Sequence, residues 1–297
     1  MKILVTGANG FVGQHLTVFL SGKKHNIFAA GRGECRIPFK NNFEFISADF
    51  TEKKNVEELL TAINPDIIIH AAAMSKPDEC ENEKEKCLLH NVTATKNLLS
   101  AFGAKGENKK FIFISTDFVF GENGPHDENA EPCPLNFYGK SKLLAEQEVI
   151  NSNVDYAIVR PVFVYGESWQ GLRPTFLHWV KNNLEKGNTI KVVSDQKRTP
   201  TFVNDLCKGI ESIVNVNRNG CWHFAGKDIL SPFEMAETVA KVLKLDASLI
   251  EKVTSETFKE PVKRAKYSGL IINKAINETD YNPVSFEEGV KLTFGIL

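Results

Sequence analysis

The apolar run Lys2 to Thr6 stops at Gly7, glycines recur at 10 and 13, and helical spacing follows from Phe11 to Leu20. Strand, glycine turn and helix in that order constrain the fold more than any other segment. Glycine permits the tight turn and lets backbone approach a pyrophosphate, which then sits at the positive end of the helix. Further strand patterns fall at Asn26 to Ala30, Phe43 to Ser47, Ile67 to Ala71, Phe111 to Ser115 and Ala157 to Val159. Helical patterns at Asn55 to Ile63, Glu81 to Phe102 and Ser141 to Asn151 separate several of them. Strands alternating with helices predict an α/β fold, a doubly wound parallel sheet with helices on both faces.

A second pattern carries chemistry. Tyr138 and Lys142 are four residues apart, so on a helix they share a face, and the Lys142 ammonium is expected near the Tyr138 phenol and a bound ribose. An unperturbed tyrosine titrates near pH ~10, and a neighbouring cation is expected to bring the phenol toward use as an acid or base at neutral pH. Thr116 follows the apolar run ending at Ser115, so its hydroxyl is expected at the carboxyl end of a buried parallel strand, where ligands bind. Thr116, Tyr138 and Lys142 are the expected catalytic groups of a carbonyl reduction. A Tyr-x-x-x-Lys pattern fixes only two positions; the upstream glycine turn is what gives it weight.

The second strand ends in Ala29-Ala30-Gly31-Arg32, where an acidic residue would hold an adenosine ribose hydroxyl. Arg32, with Arg36, is suited instead to a 2′-phosphate, which favours NADP(H) over NAD(H); the alternative is a surface arginine in a loop. Asp49 and Phe50 follow the third strand and are expected at the adenine, with Asp49 capping the next helix as the competing reading. Beyond residue 160 the pattern changes, and a smaller interleaved lobe is expected. The expected division is 1–160 plus about 206–225 for the cofactor domain, with about 161–205 and 226–297 for the substrate lobe. A helix is expected near Phe176 to Leu184, and Ser231, Pro232 and Glu234 have the spacing of a capping box.

Composition limits the partners. Among 297 residues, 36 basic and 37 acidic side chains give a net charge of −1, which argues against a nucleic-acid footprint or a polybasic membrane surface. The expected partners are small molecules or further copies of the chain, a homodimer among them. No apolar run reaches ~18 residues and the first strand starts at once, so a cytoplasmic protein is expected. Six scattered cysteines without a Cys-x-x-Cys read as reduced thiols, and no metal site is assigned.

With these residues in view, the chain resembles the extended short-chain dehydrogenase/reductase superfamily, with its Rossmann-like fold, and within it the dTDP-4-dehydrorhamnose reductase family. The likeness runs almost end to end through Thr6–Gly13, His70–Ala73, Asn91–Asn97, Ser115–Gly121, Pro134–Lys142 and Asp195–Thr201. It implies that Gly7, Gly10, Phe11, Val12 and Gly13 wrap the pyrophosphate and that Ala71, Ala72 and Ala73 border the adenosine. It further implies that Ser115, Tyr138 and Lys142 meet the cofactor and that Asn91 supports the active-site helix on the cofactor side. Ser75, Asp117, Phe118, Phe163 and Arg198 then fall to a nucleotide-sugar substrate. The family reduces the C4 ketone of a dTDP-linked 6-deoxy-hexulose, and some members use magnesium at a dimer interface. Phe118, Phe163, Met74 and Arg198 depart from its usual residues, all around the expected sugar site.

Two other readings remain. A sugar-nucleotide epimerase or dehydratase of the same superfamily would keep its cofactor bound, and Asp117 beside Thr116 suits the dehydratase. A non-catalytic NADP-binding regulatory subunit would need a partner enzyme. His70 and His126 read as structural or solvent-facing, and Trp169 as the tryptophan in a stretch that could line the sugar site. Lys197 and Arg198 are either a diphosphate contact or a solvated loop.

Overall fold

The computed structural model describes residues 1–39, 42–103, 109–169, 171–214, 216, 218–258 and 261–296. The chain opens with β1 (Lys2–Thr6), α1 (Phe11–Ser21), β2 (Asn26–Gly31), β3 (Phe43–Ser47), α2 (Lys53–Ile63) and β4 (Ile67–His70). It continues through α3 (Pro77–Asn82), α4 (Lys84–Leu88), α5 (Ala94–Gly103), β5 (Lys110–Ile114), α6 (Phe137–Ile150) and β6 (Asp155–Arg160). Beyond these come α7 (Phe176–Leu184), β7 (Ile190–Val193), α8 (Val203–Val214), β8 (Gly220–His223), α9 (Pro232–Leu243), β9 (Ile250–Val253), α10 (Asn273–Thr279) and α11 (Phe286–Thr293).

Among the described residues, seven strands form one parallel sheet in the order β3-β2-β1-β4-β5-β6-β8, the doubly wound α/β architecture expected. The central strands read as unbroken apolar runs because both faces are covered. Ile3, Val5, Ile67, Ile69 and Ile112 point to one face, where Leu16 and Leu20 of α1 and Leu206 and Ile210 of α8 close over them. Leu4, Ile68, Phe111 and Phe113 point to the other, under Leu60 of α2, Leu98 of α5 and Ala145 of α6. A third core joins α7, β7, α9, β9 and α11 through Leu177, Val180, Val192, Met235, Val239, Ile250 and Val290, around the parallel pair β7–β9.

Three local features differ from expectation. The single helix expected over Glu81 to Phe102 is broken at Glu83, whose φ of −121° and ψ of 60° are not helical, and widened into a π-helical turn at Leu89–Thr93. Helix α6 starts at Phe137 rather than Ser141, because the Asn136 side chain accepts the Gly139 N–H at 3.0 Å and caps it there. Within the segment 226–297 assigned to the substrate side, Leu270, Ile272, Ala275 and Tyr281 pack into the sheet core with α8 and β8. The expected capping box is formed: Ser231 Oγ accepts the Glu234 N–H at 3.2 Å and the Glu234 carboxylate accepts the Ser231 N–H at 2.6 Å. Among the described residues no helix is long and apolar enough to cross a membrane.

Ile112 lies at the centre of the sheet and is fully buried. Ile112→Ala should therefore lower unfolding stability by about 2–5 kcal/mol, read from the shift of a urea midpoint at unchanged slope.

Candidate active site

The strand order reverses between β1 and β4, and a crevice opens there beyond the carboxyl ends of the strands. The cleft holds about 1330 Å³ and continues toward the lobe of α7 and β7. Gly7 turns the chain at its mouth with φ +69°, and a Cβ there would lie 2.6 Å from the Ala72 nitrogen. A side chain is excluded for two reasons at once, conformation and space.

All but one of the site residues expected from sequence line this cleft: Gly7, Gly10, Phe11, Val12, Gly13, Arg32, Asp49, Phe50, Ala71, Ala72, Ala73, Ser75, Ser115, Thr116, Asp117, Phe118, Tyr138, Lys142, Phe163 and Arg198. Asn91 is the exception. Its side chain turns inward, accepting the Met74 N–H at 2.7 Å and donating to the Met74 carbonyl at 3.0 Å and to Ser141 Oγ at 2.9 Å. It braces the cleft wall against α6 without reaching the cavity.

Two further expectations are corrected. Trp169 does not line the cleft; it stacks on His15 with ring centroids 3.9 Å apart, and Trp179 on α7 faces the cavity instead. Lys197 is drawn out of the site by Glu234, whose carboxylate oxygens lie 2.6 and 2.8 Å from its Nζ. Arg198 does line the cleft, buried, donating to Ser268 Oγ at 2.6 Å and Gln196 Oε1 at 2.5 Å. The four departures from the family pattern, Met74, Phe118, Phe163 and Arg198, all meet on this wall.

The electrostatics of Lys142, Tyr138 and Asp117 are set by burial. Lys142 is 2% exposed; its Nζ donates to the Ile114 carbonyl at 2.8 Å and lies 4.0 Å from the Phe113 ring centroid. Burial lowers the ammonium to about 7, against a nearby Glu146 that favours the charge. The Tyr138 phenol is pushed up by burial more than its hydrogen bond with Thr116 brings it down. The expected lowering of the phenol is thus absent from the chain alone, because the Lys142 ammonium is directed to the end of β5. Thr116 Oγ1 donates to Asp117 Oδ1 at 3.1 Å and accepts the Phe118 N–H at 3.3 Å. Burial raises the Asp117 carboxyl, opposed by Arg198, Ser268 and Thr116.

At the other end, the Asn9 side chain organises the loop after β2. Its Nδ2 donates to the carbonyls of Arg32 and Glu34 at 3.0 and 2.9 Å, and its Oδ1 accepts the Arg36 N–H at 2.8 Å. The Arg32 and Arg36 guanidinium groups line the cleft with no hydrogen bond or ion pair among the described residues. Asp49 Oδ1 accepts from the Thr51 N–H at 3.0 Å and hydroxyl at 2.8 Å, closing a turn ahead of α2 rather than capping its first residue. His90, carried by the π-helical turn, lines the same end, and burial and then Arg32 lower its pKa. Sequence reading missed Asn9, His90 and Arg173; only Asn9, inside the glycine motif, stands where a signal was available. His70 is buried between Thr6 and Thr95 at 2.7 and 3.1 Å, and burial lowers it to about 3, so it is structural and neutral.

A nicotinamide dinucleotide fits these residues. The glycine turn leaves a cradle that a Cβ would fill, and the Ser115 hydroxyl is buried in the cleft wall without a partner among the described residues. The family model described as RmlD substrate binding domain matches residues 1–296. A probable low-salt glycan biosynthesis reductase, Agl14, of Haloferax volcanii is 29% identical, covering 97% of this chain and 95% of that protein. Methionine adenosyltransferase 2 subunit beta of Pongo abelii is 30% identical, covering 85% of this chain and 75% of its own. Among solved structures, dTDP-4-dehydrorhamnose reductase of Bacillus anthracis in complex with NADP is similar at a TM-score of 0.87 and 28% identity, covering 100% of this chain and 99% of that one.

The buried ammonium has a measurable signature. Between about 7 and the unfolded value of ~10.4, the unfolded chain holds a proton on Lys142 that the folded chain has lost, so this group makes stability rise with pH. Lys142→Met should remove up to about 1.4 kcal/mol per pH unit of that slope, measured by urea unfolding between pH 7.5 and 9.5.

Proposed function

Because the chain belongs to the RmlD substrate binding domain family, we propose that it is an NADPH-dependent reductase of a nucleotide-linked 4-keto-6-deoxy sugar, with Tyr138 as proton donor. The observation that carries this reading is the meeting of Tyr138, Thr116 and Lys142 with the glycine cradle in one cleft. NADPH, when bound, supplies the hydride. Gly7 and the start of α1 receive its pyrophosphate, Arg32 and Arg36 its 2′-phosphate, and Lys142 its ribose. The Tyr138 phenol, kept protonated by burial, is a proton source for the oxygen of a reduced carbonyl. Thr116, already hydrogen-bonded to Tyr138, exchanges Asp117 for that oxygen and holds it against the phenol.

The far half of the cleft supports a nucleotide-linked substrate. Arg173 and Arg264 line it with Phe176 and Trp179, whose rings stack 5.7 Å apart at 29°. Cationic groups beside an aromatic wall suit a diphosphate joined to a base. Nucleotide-sugar chemistry is in keeping with the names of the relatives, a glycan biosynthesis reductase and a dTDP-4-dehydrorhamnose reductase. One relative, the methionine adenosyltransferase 2 subunit beta, favours a second reading, a non-catalytic NADP-binding subunit. The two readings part on turnover.

Incubation with dTDP-4-keto-6-deoxy-L-mannose should consume NADPH absorbance, and Tyr138→Phe should cut that rate roughly 10² to 10⁴-fold while NADPH affinity stays within a few-fold. A variant that keeps most of its rate removes Tyr138 from the chemistry, and a wild-type chain that binds NADPH without turnover on any keto-sugar favours the subunit reading. Arg32→Ala should raise the KM for NADPH by about tenfold or more and leave that for NADH nearly unchanged, as expected for loss of a charged hydrogen bond to a phosphate.

A further inference from the structure

Glu146 is a buried carboxylate that no step above uses. It stands one turn beyond Lys142 on α6, is 1% exposed, and accepts from Arg160 Nε at 2.9 Å and Nη2 at 2.6 Å. Arg160 is also buried, with its guanidinium carbon 4.9 Å from the Phe120 ring centroid. Its neighbour Pro161 lines the cleft, so the pair ties the helix of Tyr138 and Lys142 to the strand end beside the site. For stability alone such a pair is a poor choice, since an apolar pair of similar volume is generally as good or better.

Its position supplies another reason. The groups facing Lys142 are Glu146 and Tyr138 on its own helix, Cys80 from α3, Cys87 from α4, His70 from β4, and the Ile114 carbonyl and Phe113 ring from β5. His70 and Tyr138 are neutral there, and Cys80, hydrogen-bonded to Cys87, is held as a thiol. Glu146 opposes the loss of charge at Lys142 more strongly than either cysteine, and two hydrogen bonds from Arg160 fix where its carboxylate lies. We propose that Glu146, clamped by Arg160, is a positioning residue that keeps Lys142 cationic at the cofactor end of the cleft. This rests on the ribose-binding role given to Lys142 above.

The test is the pH dependence of NADPH affinity from cofactor fluorescence, between pH 5.5 and 9.5. In the wild type, affinity should fall above a break set by Lys142, and Lys142→Met should lack that break. Glu146→Gln should move the break down by about one pH unit. The double variant Glu146→Met/Arg160→Met, which removes both charges of the pair and keeps the helix packed, should move the break in the same direction by a smaller amount. The 2′-phosphate titrates alike in all four proteins and cancels in the comparison. A uniform loss of affinity with the break unmoved in both variants would reduce the pair to a structural clamp and overturn the proposal. A wild type that binds no NADPH at any pH would overturn the cofactor reading as well, so the two failures are distinct.

Discussion

The approach of Gly7 to the backbone of Ala71 and Ala72 is the contact on which the site depends. It lies at the seam where β1 and β4 run side by side and the connections turn opposite ways, which is where an open parallel sheet leaves a crevice. Since the Gly7 Cβ position falls 2.6 Å from the Ala72 nitrogen, the backbone itself forms the floor of the crevice there. Gly13 continues the same logic, because a Cβ there would collide with the Gly7 carbonyl. The cofactor end is thus determined by backbone, and its chemistry follows from which loops the sheet places around it.

Helix α6 carries the opposite kind of constraint. It buries Tyr138, Ser141, Lys142 and Glu146 alongside Ala145 and Val149, so polar groups occupy the face that would ordinarily be apolar. Each has a partner that another element must deliver: Asn91 for Ser141, Ile114 for Lys142, Arg160 for Glu146 and Thr116 for Tyr138. A buried polar network is stable only when every member is satisfied. The π-helical turn at Leu89–Thr93 fits this requirement, since it carries Asn91 between Met74 and Ser141. The irregularity in the helix and the order of the active-site face are two sides of one packing solution.

These two constraints explain what could be read in the sequence. The sheet was legible because strands buried on both faces leave unbroken apolar runs such as Phe111 to Ile114, and the cofactor end because backbone-made sites advertise themselves as glycines. The break at Glu83 was not, since Cys80 and Cys87 on either side of it are both buried and leave the helical spacing uninterrupted. Asn91 supports α6 through Ser141, as expected, without lining the cleft. Trp169 and Trp179, ten residues apart, exchange roles because His15 and Phe39 of the cofactor side capture the first.

The substrate wall is where reading by pattern stops, and its construction shows why. Met74 follows β4, Phe118 follows β5, Phe163 follows β6 at φ +42°, Trp179 sits on α7, and Arg198 and Arg264 come from segments beyond β7. No periodicity links positions drawn from so many elements. Tyr138 and Lys142, by contrast, sit together on α6 and are locked against the sheet core by its partners. Tyr138 and Lys142 therefore belong to the buried core of the fold, and Met74, Phe163, Trp179 and Arg264 to a rim drawn from its loops and lobe.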